Sequence, residues 1–255
     1  PKGTVLMSDD IQPILDDWSY DPEKVCVRRI KGKDGRDKIQ LRIEMGILQM
    51  EISGRPDGQR PHGRESLLQY YTGEAASAKQ REMRFSLDSE ACMALQMEAL
   101  QFYHRRISFL ELGEYERAQT DAQRNLDLFD FVKVHAEEEE DRTSMEQYRP
   151  FVIGHRVRAS VLQCLEEERF DEALSEIDTG VDEIQTFFRS FDRPDLVEES
   201  EEVSFLREWA EEIRRDRPRS MSQDLREQLR EAVDIEDFER AAELRDRLRS
   251  LAENS

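Results

Sequence analysis

The side chains able to do chemistry are few for so charged a chain. His62, His104, His135 and His155 stand far apart, and none forms the i, i+4 pair with which a helix presents two imidazoles to zinc. Cys26, Cys92 and Cys164 occur singly, so no CxxC unit exists for metal or redox work, and the odd count argues against a disulfide framework. Cys92 and Cys164 fall in apolar stripes of helical spacing, which points to buried thiols rather than nucleophiles. With 58 Asp and Glu in the chain, neighbouring carboxylates arise by number alone. None lies at a strand end or in a Gly-rich turn that would desolvate it for acid-base work. The residues therefore supply no catalytic constellation, no metal centre and no cofactor site, and the chain is expected not to be an enzyme.

One group has the composition of an anion site. Arg55, Arg60, His62 and Arg64 lie in "GRPDGQRPHGRE", where glycines allow close backbone approach and guanidiniums can grip a phosphate or carboxylate. The alternative is a solvated connector whose arginines pair with acids of neighbouring helices, since four cations in a loop have no fixed geometry. No phosphate-loop pattern accompanies them.

Charge narrows the partners. The formal net charge is −20, yet Glu23 to Arg64 holds eleven Lys/Arg against six Asp/Glu, a net of +5 that leaves −25 for the remainder. Such a surface repels a phosphate backbone, so direct nucleic-acid binding is not expected. No apolar run approaches the ~20 residues needed to cross a bilayer, and "PKGTVLMSDD" lacks the apolar core of a signal peptide. With unpaired cysteines, this points to a cytoplasmic protein without membrane attachment.

The elements that position these residues follow from hydropathy. A 37% hydrophobic chain with 38% charged residues can bury a core only if its apolar side chains are confined to stripes, and sparse Gly (11) and Pro (8) leave long stretches free for helices. Residues 1–22 read as an acidic, extended lead-in that docks through Trp18. "VCVRRI" and "KIQLRIEM" alternate with period two around an Asp34-Gly35 turn, and "GILQMEISG" continues as a third strand, giving a small antiparallel β element. From Glu65 the periodicity predicts helices over 65–82, 88–112, 114–136, 151–167, 169–190, 195–216, 222–233 and 237–252. The fold class is mainly α: an antiparallel helical-hairpin array with an N-terminal β element and a C-terminal helical hairpin. Three regions are expected, 1–64, 65–216 and 217–255, with "RRDRPRSMSQ" as a linker before the last.

A weak internal repeat runs through the helices. "LELGEYERAQTDA" and "CLEEERFDEALSEI" both place an aromatic (Tyr115, Phe170) at a hairpin turn and an alanine (Ala118, Ala173) three residues on, where two helix backbones must approach closely. This is similar to tetratricopeptide repeats, although that family repeats at ~34 residues. "EDFERAAELRDRL" repeats the pattern with Phe238 and Ala241. Leu225, Leu229, Ala232 and Val233 form one stripe after a Ser222 cap, and Phe238, Ala241, Ala242, Leu244, Leu248 and Leu251 the facing one. Together they carry more apolar surface than two helices hide on each other, and a hairpin of ~30 residues seldom sustains a private core.

The string Leu225-x-x-x-Leu229-x-x-Ala232-Val233, then Glu236-Asp237-Phe238-Glu239-x-Ala241-Ala242-x-Leu244-Arg245-Asp246-x-Leu248, resembles the UVR motif of UvrB and UvrC. The whole chain resembles bacterial proteins that carry such a motif. The resemblance implies a protein-protein contact module that pairs with a like hairpin, with Leu225, Leu229, Phe238, Ala241, Ala242, Leu244 and Leu248 in contact and Arg245 and Asp246 setting orientation. It implies a non-enzymatic adaptor or scaffold, and leaves homo-oligomerisation open. Two other roles follow from the same family: an accessory factor of nucleotide-excision repair reaching DNA through a complex, and a regulator of a stress protease or protein kinase like the McsA group, whose zinc-binding Cys pairs are missing here.

Overall fold

The computed structural model describes residues 10–217 and 221–253. The first nine residues of the expected lead-in and residues 218–220 of the expected linker lie outside the described residues, as do the side chains of Ser222 and Leu251. The chain is mainly α with one three-stranded antiparallel sheet near its N-terminus. It divides into two compact units, Pro1–Glu208 and Trp209–Ser255.

In the first unit the lead-in is not extended throughout. It winds into a short helix, α1 (Gln12–Asp16), with Pro13 in its first turn, where the missing N–H costs nothing. Trp18 docks as expected: the Arg28 guanidinium lies 4.1 Å from its ring centroid, and Arg42 Nε donates to its carbonyl at 3.0 Å. Strands β1 (Val27–Lys31), β2 (Asp37–Ile43) and β3 (Gly46–Glu51) pair in order, with Ile39 opposite Met50 and Leu41 opposite Leu48. Gly35 closes the first turn at φ 76°, a conformation that glycine adopts without steric penalty. The alternation predicted for β2 becomes a face: Ile39, Leu41 and Met50 pack on Phe109, Ala118 and Ala159 of the helices. Three strands alone would be marginal, and this burial holds them.

Helices α2 (Leu67–Gln80), α3 (Ser89–Glu111), α4 (Tyr115–His135), α5 (Glu139–Ser144), α6 (Arg149–Glu166), α7 (Phe170–Ser190), α8 (Leu196–Glu199) and α9 (Glu201–Asp216) follow. α3 packs on α4, α4 on α6 and α6 on α7. Pro150 begins α6 rather than kinking a helix. The single helix predicted over 195–216 is broken at Ser200, whose ψ of 119° leaves the helical region and whose Oγ accepts from Val203 N at 3.3 Å, starting α9 afresh. The second unit contains the end of α9 with α10 (Met221–Asp234) and α11 (Phe238–Glu253).

The repeated sequence pattern is a repeated turn. Tyr115, Phe170 and Phe238 are each the first residue of a helix, and Ala118, Ala173 and Ala241, three residues on, are buried. Two residues before each aromatic the chain enters the left-handed region, at Gly113 (φ 71°), Glu168 (φ 56°) and Glu236 (φ 60°). The next N–H then returns to the preceding helix: Glu114 N to Phe109 O, Arg169 N to Cys164 O and Asp237 N to Ala232 O, all at 2.8 Å. This six-to-one bond is the helix-ending motif that favours glycine. Only the first turn has one. Glu236→Gly is therefore expected to stabilise the C-terminal hairpin by about 0.5–1 kcal/mol, read as a higher melting temperature, with Glu236→Ala giving no such gain.

Burial also sets an acid response. His155, on α6, lies 4.2 Å from the Phe151 ring centroid, and its Nδ1 has no hydrogen-bond partner. Desolvation, with Arg106 and Arg158 nearby, pushes its pKa down to about 3. A histidine kept neutral in the folded chain binds a proton only on unfolding, so it removes stability as pH falls from the unfolded value near 6.5 toward 3. The slope is at most about 1.4 kcal/mol per pH unit. His155→Phe is expected to flatten the urea-denaturation profile across that window, and an unchanged slope would show that the imidazole is accessible to protons in the folded state.

Candidate protein-interaction site

The C-terminal hairpin sorts its apolar residues into two sets. Leu225, Ala232, Ala241 and Leu244 are buried in a cluster of their own, with Leu229 and Leu248 packed against it. Leu244 is only 5% exposed. These residues form the seam that holds α10 to α11. Ala242, beside it, is half-buried. Phe238 is placed differently: it is 68% exposed, and beside it in sequence Ile235 is 70% and Val233 49% exposed. All three sit at the turn, where Asp237 caps α11 by accepting from Arg240 N at 3.1 Å. Arg245 and Asp246 pair with each other at 3.0 Å on the open surface, an arrangement that contributes little to stability.

The other two turns give this exposure its meaning. Tyr115 packs against the cluster built on Ile39, Phe109 and Ala118, and Phe170 is half-buried. The same position in the same turn is thus half-buried within the first unit and exposed in the hairpin. Ile235 was not singled out from sequence. Its signal was an isoleucine inside an otherwise acidic turn, "DIED", where no hairpin needs one.

Residues 221–254 match the family model described as the UvrB/uvrC motif. The hairpin is a UVR motif. In proteins of the UvrB and UvrC type this motif mediates protein interactions. No curated protein and no solved structure matches the chain. The UVR motif accounts for α10 and α11 together, so its ends coincide with a hairpin that has its own seam.

The basic loop that precedes α2 is built differently from the UVR hairpin. Arg55 turns inward, its Nε 3.2 Å from Asp57 and 3.6 Å from Glu98. His62, at φ 50°, stacks on Tyr70 with centroids 3.9 Å apart. Arg60 and Arg64 are exposed. The fully buried Glu98 accepts from Leu67 N at 2.8 Å and Leu68 N at 3.2 Å, at the N-terminus of α2, and pairs with Arg124. Arg105 holds Asp121 with two bonds of 2.8 and 2.7 Å and donates to the carbonyls of Glu51 and Gly54. These charges have partners on every side and tie the loop after β3 to α3 and α4, which is structural work. Burial pushes the Cys92 thiol up to about 11 and raises Cys164, so neither is an activated nucleophile. Among the described residues no cluster of three or more His, Cys, Asp or Glu is placed to hold a metal ion, and no helix is long and apolar enough to cross a membrane.

Proposed function

We propose that this protein is a non-enzymatic adaptor whose UVR hairpin docks a protein partner through Val233, Ile235 and Phe238, the partner contributing a hairpin of the same kind. The observation that carries the reading is the exposed aromatic at a turn whose two counterparts are half-buried. An aromatic of this size, exposed with two aliphatic neighbours, forms the apolar centre of an interface, and the surrounding acids and arginines form its rim. The seam residues Leu225, Leu229, Ala241, Leu244 and Leu248 act one step back: they hold the hairpin in shape. Arg245 and Asp246 lie on the charged rim and bias orientation. The charge pattern supports a protein partner over a phosphate backbone, because Arg29, Lys31, Arg36, Lys38 and Arg55 of the basic segment already pair with carboxylates of this chain.

The test is affinity purification from the native cell extract with three baits: the full chain, the chain lacking residues 219–255, and the Phe238→Asp full chain. The reading expects one or more proteins recovered with the first and lost with both others. Equal recovery by all three baits would overturn it.

A further inference from the structure

Among α3, α4, α6 and the turn before α6 lies a cavity of about 650 Å³, walled largely by Met97, Leu100, Tyr103, Phe129, Phe151 and Val152. That volume suits a small ligand. Arg106 borders it with no exposed surface of its own. Its Nε and Nη1 have no hydrogen-bond partner. The acid that acts on it, Asp121, is already held by both bonds to Arg105. Buried cations are ordinarily paired, and Arg105 beside it shows the ordinary case. Arg106 instead has two rings, Tyr103 and Phe151, with centroids 5.4 and 5.9 Å from its Cζ.

We propose that this cavity binds an amphipathic monocarboxylate, its hydrocarbon body against the apolar wall and its carboxylate paired with Arg106. Each half of that ligand answers an observation. A neutral hydrocarbon would leave the guanidinium unpaired, whereas a small inorganic anion would leave the apolar wall against water. Burial pushes the Arg106 pKa down to about 10, which still keeps it a cation at neutral pH. Tyr103 and Phe151 line the cavity and lie over the guanidinium, so the proposed carboxylate reaches Nε and Nη1 only by displacing them.

The full chain is titrated with decanoate, decanol and acetate, following the Arg106 Nε resonance by nitrogen-15 NMR. Saturable one-to-one binding of decanoate that shifts this resonance is expected, with decanol at least ~10-fold weaker and acetate without effect at equal concentration. Arg106→Met is expected to melt higher than the parent, because it removes an unpaired charge, and to bind decanoate no better than decanol. Leu100→Trp, at the cavity rim, leaves Arg106 in place and is expected to weaken decanoate binding, which keeps the test decisive should Arg106→Met fail to fold. Equal affinity for decanoate and decanol in the parent, a charge preference that survives in Arg106→Met, or no binding at all would each overturn the proposal.

Discussion

Asp121→Ala is expected to destabilise the first unit by about 3–5 kcal/mol. Arg105 is almost wholly buried, and Asp121 supplies both acceptors for its Nε and Nη2 at 2.8 and 2.7 Å. Without them a guanidinium remains in the interior with two carbonyls and no counter-charge. The cost arises from that stranded charge and only in small part from the lost bonds. The double substitution Arg105→Met, Asp121→Leu should therefore recover much of the loss, because an apolar pair of similar volume leaves no charge unpaired. It should not recover all of it, since Arg105 also donates to Glu51 O at 3.1 Å and Gly54 O at 2.7 Å. Urea denaturation in a Trp209→Phe background makes Trp18 the sole tryptophan and reports on the β element directly. A loss below about 1 kcal/mol for Asp121→Ala would mean that water reaches Arg105 in the folded chain.

The second large effect separates two residues that the hydropathy pattern places on one stripe. Leu244→Asp puts a carboxylate into the seam formed with Leu225, Ala232 and Ala241. Lost burial contributes about 2 kcal/mol and the unpaired charge several more, beyond what a hairpin of this size can absorb. The helical dichroism of α10 and α11 should disappear while the first unit still melts cooperatively. Phe238→Asp should leave that dichroism unchanged. Its side chain is 68% exposed, and an acid in the first turn of α11 complements the helix dipole. Opposite outcomes, a melted hairpin from Phe238→Asp and an intact one from Leu244→Asp, would exchange the roles of seam and docking surface.

These contrasts show where sequence reading succeeds and where it stops. Period-two alternation located β2 and its inward face, and helical periodicity located α3, α4, α6 and α7 to within a few residues, because burial of a stripe is what forms those elements. The aromatic-then-alanine spacing located three turns correctly. It could not reveal that Phe238 lies outside the seam while Leu244 lies inside it, since both fit one face of α11. The structure draws the distinction: the first residue of α11 is exposed, whereas Leu244, six residues on, is buried. The break at Ser200 was hidden in "EESEEV", where a capping serine resembles any polar residue on a solvated face. The adjacent Arg105 and Arg106 are identical in type and differ by ~100° around α3. One finds Asp121 and the other an apolar cavity, and no pattern of single residues tells them apart.

The proposed coverage by another protein falls on the hairpin turn, not on the hairpin seam. It is tested most directly by hydrogen exchange on the full chain alone and in complex with the protein recovered by affinity purification. The account expects slowed exchange in peptides spanning residues 233–240 on binding, with helices α3 to α7 unchanged. Protection confined to α3 to α7, with exchange at Val233, Ile235 and Phe238 unaltered, would contradict it.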